Sequence, residues 1–92
     1  MSYFVYIVEC ADGTYYTGIA TDVERRIMEH NGAKGRGARY TSARRPVALV
    51  YQAPFDTRSQ ALKGEIQIKR LSRKQKEMLI ASAQSTDRKS VV

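Results

Sequence analysis

Tyr3-Phe4-Val5-Tyr6-Ile7-Val8-Glu9-Cys10, a turn at Ala11-Asp12-Gly13, then Thr14-Tyr15-Tyr16-Thr17-Gly18-Ile19-Ala20: this stretch decides the fold. Residues 3–10 are rich in β-branched and aromatic side chains and read as a strand. Asp12-Gly13 is a strong hairpin signal, because glycine takes positive φ without steric cost. Residues 14–20 then read as a second strand. Loop length sets the register. A two-residue loop would put Tyr6 and Tyr16 on opposite faces. A three-residue loop, a type I turn with Gly13 left-handed, pairs Cys10 with Thr14 and Tyr6 with Gly18. Tyr16 then lies diagonally beside Tyr6 on one face. The sequence predicts this longer loop.

Outward from the hairpin, Thr21-Asp22-Val23-Glu24 has the form of a capping box with a hydroxyl cap. A helix is predicted from about Asp22 to His30, with Val23 and Ile27 as its apolar stripe. Arg26 and His30, four apart, share one side of it. Asn31-Gly32 ends it. Residues 31–45 read as irregular and basic, with Lys34, Arg36, Arg39, Arg44 and Arg45 around Tyr40. No Asp or Glu occurs from His30 to Phe55. This segment, with Thr41 as an added hydroxyl donor to phosphate, is the expected nucleic-acid-binding loop.

A third strand is predicted from Pro46 through Tyr51, continuing to Phe55. A second helix over 58–69, capped by Asp56 or Thr57, would turn Ala61, Leu62, Ile66 and Ile68 inward. Ser72 caps a third, with Met78, Leu79 and Ile80 apolar. The order is ββαβαα: an α+β domain with a small three-stranded mixed sheet flanked by helices. It spans residues 1–82, and a flexible polar tail is expected over 83–92.

Ninety-two residues suit one domain with a modest core. Sixteen Lys plus Arg against nine Asp plus Glu give +7, which favours a polyanionic partner. The single cysteine, Cys10, excludes an internal disulfide and reads as a small buried hydrophobe. No apolar run reaches the roughly 20 residues of a membrane helix. With no signal-peptide pattern at the N-terminus, a cytoplasmic location without membrane contact is expected.

Two phenols, an arginine, a histidine and an acid form a kit for cutting a phosphodiester: Tyr6, Tyr16, Arg26, His30 and Glu65. Each also has an ordinary structural use. Strand tyrosines pack. Arg26 can pair with Asp22, a contact of about 0.3–0.5 kcal/mol. His30 suits a helix C-terminus, and Glu65 can pair with Lys69. Tyr3, Tyr15 and Tyr51 read as structural.

The five residues, in this order and context, resemble the GIY-YIG nuclease domain, over about residues 3–80. Tyr6 matches the end of that family's first motif and Tyr16-Thr17-Gly18 its second. Arg26 matches its helical arginine, His30 the histidine often found one turn later, and Glu65 its metal-binding glutamate. The chain looks closest to the small single-domain bacterial members. The resemblance implies the GIY-YIG fold and a Mg²⁺- (or Mn²⁺-) dependent DNA endonuclease or nickase, acting in repair or recombination. It implies Glu65 as metal ligand, Tyr16 as base, Tyr6 as a holder of water, and His30 as proton shuttle or phosphate contact. Phe4, Val5 and Thr17 depart from the motifs. At Ile19 some members carry a lysine, and the asparagine that follows the glutamate in several has no match. Two other functions fit the charge: a non-catalytic DNA- or RNA-binding module, and a domain whose basic face meets an acidic protein. A stand-alone catalytic domain also implies a protein partner that supplies specificity.

Overall fold

The computed structural model describes the backbone of residues 2–91 and, apart from Lys34, the side chains of residues 2–83. The polar tail expected over 83–92 falls largely outside the described side chains. Strands β1 (Tyr3–Cys10) and β2 (Tyr15–Ala20) precede helix α1 (Val23–His30). A 3₁₀ turn (Ala33–Gly35) and a one-turn helix α2 (Arg39–Ser42) lead to β3 (Val47–Phe55). Helices α3 (Arg58–Lys69) and α4 (Arg73–Val91) follow. The α+β class and the ββαβαα order hold, with α2 and the 3₁₀ turn added inside the basic segment read as irregular.

The hairpin has the three-residue loop. Gly13 N–H donates to the Cys10 carbonyl at 2.9 Å, and Gly13 takes φ +84°. Tyr6 pairs with Gly18 and Val8 with Tyr16, so Tyr6 and Tyr16 share a face. The sheet order is β2-β1-β3 and both ladders are antiparallel, so the sheet is not mixed. The reason is topological: β2 and β3 run parallel, but β1 lies between them and opposes both. A bulge in β3 sets Tyr51 against Ile7 and Leu49 against Val8. Val50, the extra residue, then faces the same cluster as Tyr51.

Alternation along β1 divides the core. Val5 and Ile7 face Ala61 and Ile68 of α3 and Ile80 of α4. Tyr6, Val8 and Cys10 face the other way, packed with Val23 and Ile27 of α1. Cys10 is buried, as expected of a small hydrophobe. The α1 cap is Asp22, whose carboxylate accepts from Arg25 N–H at 3.1 Å, and not Thr21. Thr57 caps α3, while Ser72 and Gln75 form a reciprocal capping box at α4. Leu62 and Ile66 point outward, contrary to expectation. The Phe55 ring packs closely over Gly64, so α3 docks through its small residues and Ile68.

Candidate active site

The hairpin register puts the Tyr6 ring directly across Gly18. A Cβ at Gly18 would lie 2.5 Å from the Tyr6 hydroxyl and 2.7 Å from Cζ. The glycine of Tyr16-Thr17-Gly18 is therefore the gap through which Tyr6 reaches across the edge strand β2. Tyr6 is 1% exposed. Burial pushes its pKa up to about 12; Arg26 opposes this by hydrogen bond and charge, while Tyr16 and Glu65 add to it. Tyr6 is held as a neutral phenol.

Its hydroxyl lies 2.7 Å from Nε2 of His30. The last residue of α1 is fully buried, so no phosphate can touch the imidazole directly, and its reach toward the site runs through Tyr6. Burial, then the Arg26 charge, lowers the His30 pKa to about 4. On its other side, Nδ1 lies 2.8 Å from Oγ1 of Thr41, which donates to the Ala38 carbonyl at 3.0 Å. Thr41 is thus a buried partner of His30 and not a phosphate contact. The C-terminus of α1 is anchored as well. Asn31 exchanges two hydrogen bonds with the backbone of Val47, and Arg45 Nε donates to the His30 carbonyl at 2.9 Å.

One turn before His30, Arg26 keeps 29% of its side chain exposed. Its Nη1 donates to Glu29 at 2.9 Å and to the Arg36 carbonyl at 2.7 Å. Burial works against its charge, yet the hydrogen bonds to Glu29 and Tyr6 raise its pKa above the usual arginine value. The Arg26 hydrogen bond holds the Glu29 carboxyl below the usual range. Asp22, the expected partner, instead caps α1. The i,i+3 spacing of Arg26 and Glu29 is a legible signal for this pair.

Tyr16 packs edge-on against His30, ring centroids 5.2 Å apart, and stacks on Tyr40 of α2 at 5.7 Å. The Arg44 guanidinium lies over the Tyr40 ring, 4.1 Å from its centroid. Arg44 also donates to Asp12 at 3.0 Å and to the Tyr40 carbonyl at 2.8 Å, tying the basic segment to the hairpin turn. Arg36, Arg39, Tyr40 and Arg45 are exposed, Arg44 half so. Of the expected binding residues, Lys34 has no described side chain, and Thr41 is the one that turns inward.

Glu65 comes from α3, on the opposite side of the sheet. Its side chain is 17% exposed, its carboxylate lies 3.4 Å from Lys69 Nζ, and its charge acts on Tyr6. Among the described residues, no three His, Cys, Asp or Glu side chains converge. A cation here would have one carboxylate and water, a donor set that suits Mg²⁺, which takes one or two carboxylates and keeps several waters. It does not suit a structural zinc. Ile19 pairs with Val5 and packs into the α3-side cluster, away from Tyr6.

No helix of the described residues is long and apolar enough to cross a membrane. The GIY-YIG catalytic domain family model matches residues 2–78. A UPF0213 protein of Staphylococcus saprophyticus is 56% identical over 79 residues, 86% of this chain and 94% of that one. One of Halobacterium salinarum is 56% identical over 75 residues, 82% and 95% of the two chains. The solution structure of a UPF0213 protein from Bacillus halodurans superposes with TM-score 0.56 at 47% identity, covering 88% of this chain and 84% of that one. An E. faecalis protein gives 0.61 at 41% identity, covering 91% and 88%. These matches span nearly the whole domain: the chain belongs to the GIY-YIG nuclease family.

Proposed function

We propose that this protein is a Mg²⁺-dependent endonuclease that nicks DNA, one strand per encounter. The observation that carries the reading is the convergence of Tyr6, Tyr16, Arg26 and His30, with Glu65 in electrostatic reach, beside an exposed basic segment. Hydrolysis needs an activated water, a clamp on the phosphate and a stabilised leaving oxygen. Arg26, partly exposed and braced by Glu29, offers its planar fork to a non-bridging oxygen. Tyr16 is the base. Tyr6, locked as a phenol, orients the water and does not take its proton. Glu65 would hold the metal, which when bound supplies a Lewis acid for the phosphate and the leaving oxygen.

Arg36, Arg39 and Tyr40 supply the strand contact. A partner protein supplies sequence or structure specificity, and the work is done in the cytoplasm, in repair or recombination. The test is incubation with nicked, branched and single-stranded DNA, and with RNA, in Mg²⁺ or EDTA. Mg²⁺-dependent nicking supports the reading; no turnover on any substrate contradicts it.

The second reading, a non-catalytic DNA- or RNA-binding module, is favoured by Ile19, a packing residue where a lysine would aid catalysis. It predicts binding without turnover, with each duplex phosphate contact adding about 0.9 to the salt slope.

A further inference from the structure

Thr41 has one hydroxyl proton, and the Ala38 carbonyl takes it at 3.0 Å. At the 2.8 Å contact with His30, the Thr41 oxygen can then only accept. With the hydroxyl proton on the Ala38 carbonyl, Nδ1 of His30 carries the ring proton. Neutral imidazole has one N–H, so Nε2 is bare and accepts from the Tyr6 hydroxyl at 2.7 Å. The chain of donors is closed from Tyr6 to the α2 backbone. His30 and Thr41 are fully buried, so no bulk solvent competes for the two ring nitrogens. The opposite tautomer requires the Thr41 hydroxyl to leave the Ala38 carbonyl and donate to Nδ1, and it deprives the Tyr6 O–H of His30 as acceptor.

We propose that Thr41 is a positioning residue for strand cleavage: its hydroxyl selects the Nδ1–H tautomer of His30, and His30 in turn fixes the direction of the Tyr6 O–H. The proposal rests on the nuclease reading. With its proton turned inward to His30, Tyr6 presents only acceptor lone pairs to the site. It can then receive a hydrogen bond from Arg26, and another from the attacking water, without offering a proton to either. A phenol free to rotate would donate to a phosphate oxygen or to that water for part of the time, and so misdirect it. The partner of one ring nitrogen decides what the other can do. The fold puts Thr41 to this use through α2. Neighbouring residues on a helix point about 100° apart, so Tyr40 turns out to stack on Tyr16 while Thr41 turns in to His30.

The experiment exploits the single histidine of the chain. The ¹⁵N shifts of its two ring nitrogens report which one carries the proton, without any substrate. Wild-type protein is compared with Thr41→Val, Thr41→Ala and Thr41→Ser; the alanine variant removes the hydroxyl without adding bulk should valine not fold. The expected result is a single Nδ1–H form in wild type and in Thr41→Ser, lost in Thr41→Val and Thr41→Ala. Nicking kcat should fall by at least about ten-fold in the latter two, with KM and nucleic-acid affinity unchanged and Thr41→Ser restoring the rate. An unchanged tautomer in both hydroxyl-free variants overturns the proposal. So does a rise in KM at constant kcat, which would make Thr41 a substrate contact. If wild type cuts nothing while the tautomer still depends on Thr41, the nuclease reading fails and the control of His30 by Thr41 stands.

Discussion

The Tyr6 hydroxyl and Nε2 of His30 lie 2.7 Å apart, and neither side chain is more than 1% exposed. The pair joins the first strand to the end of the first helix. Burial keeps both groups neutral, and so shifts them in opposite directions, the phenol pKa up and the imidazole pKa down.

Acid should therefore destabilise the fold through His30. Its pKa falls from 6.5 to about 4 on folding, so between those values the unfolded chain binds a proton that the folded chain refuses. Stability is fully present above pH 6.5 and is lost as pH falls toward 4, by on the order of 3 kcal/mol at about 1.4 kcal/mol per pH unit. Urea midpoints at pH 7 and pH 5 measure this directly. The ring resonances of His30 should show no titration near pH 6.5.

Alkali should act through Tyr6 with the opposite sign. Its pKa is raised from 10.0 to about 12, so the unfolded chain releases a proton that the folded chain keeps, and stability falls as pH rises through that window. Tyr6→Phe should flatten this part of the profile.

Gly18→Ala should displace Tyr6. The new Cβ would lie 2.5 Å from a hydroxyl pinned to a buried histidine, and overpacking of this kind costs about 1–3 kcal/mol. Thermal unfolding should show a lower midpoint, and nicking should drop well beyond what the stability loss explains. A variant with wild-type activity would detach Tyr6 from the site.

Arg26→Lys keeps the charge but loses the fork. A drop in kcat of about 10²-fold is expected, the scale seen when one donor to a developing anionic transition state is removed. Glu29→Gln should give a smaller loss in the same direction, because Glu29 braces Arg26. Single-turnover kinetics separate these effects from binding.

Arg39→Ala and Arg36→Ala should each weaken nucleic-acid binding and lower the log–log salt slope by about 0.9 on duplex DNA. Tyr40→Ala should cost about 1–3 kcal/mol of binding where a base stacks on it. Fluorescence anisotropy over a range of salt concentrations measures both.

The hairpin was legible because Asp12-Gly13 and the alternation around it admit one register that buries both faces of β1. The C-terminal end of α1 was legible from Asn31-Gly32, and the start of α3 from Asp56-Thr57, of which Thr57 is the cap. The segment from Asn31 to Arg45 was legible only as basic. Its ordered contacts, Thr41 to His30 and Arg44 to Asp12, join residues 11 and 32 positions apart, and no local pattern marks such pairs. Thr41 shows the limit most clearly. Among arginines a hydroxyl reads as a phosphate donor, and only the turn of α2 sends it into the core. The outward turn of Leu62 and Ile66 was hidden for a similar reason: the face of α3 that docks is set by where Phe55 needs a gap.

The proposed site joins the Tyr6–His30–Arg26 cluster and Glu65 in one metal-dependent cutting centre. The most direct measurement is the initial rate of DNA nicking against Mg²⁺ concentration for wild type, Glu65→Gln and Tyr16→Phe, each confirmed folded by its unfolding midpoint. The account predicts saturable Mg²⁺ dependence in wild type, and a loss of at least about 10²-fold in both variants. Nicking that proceeds in EDTA, or that survives both substitutions at the wild-type rate, would contradict it.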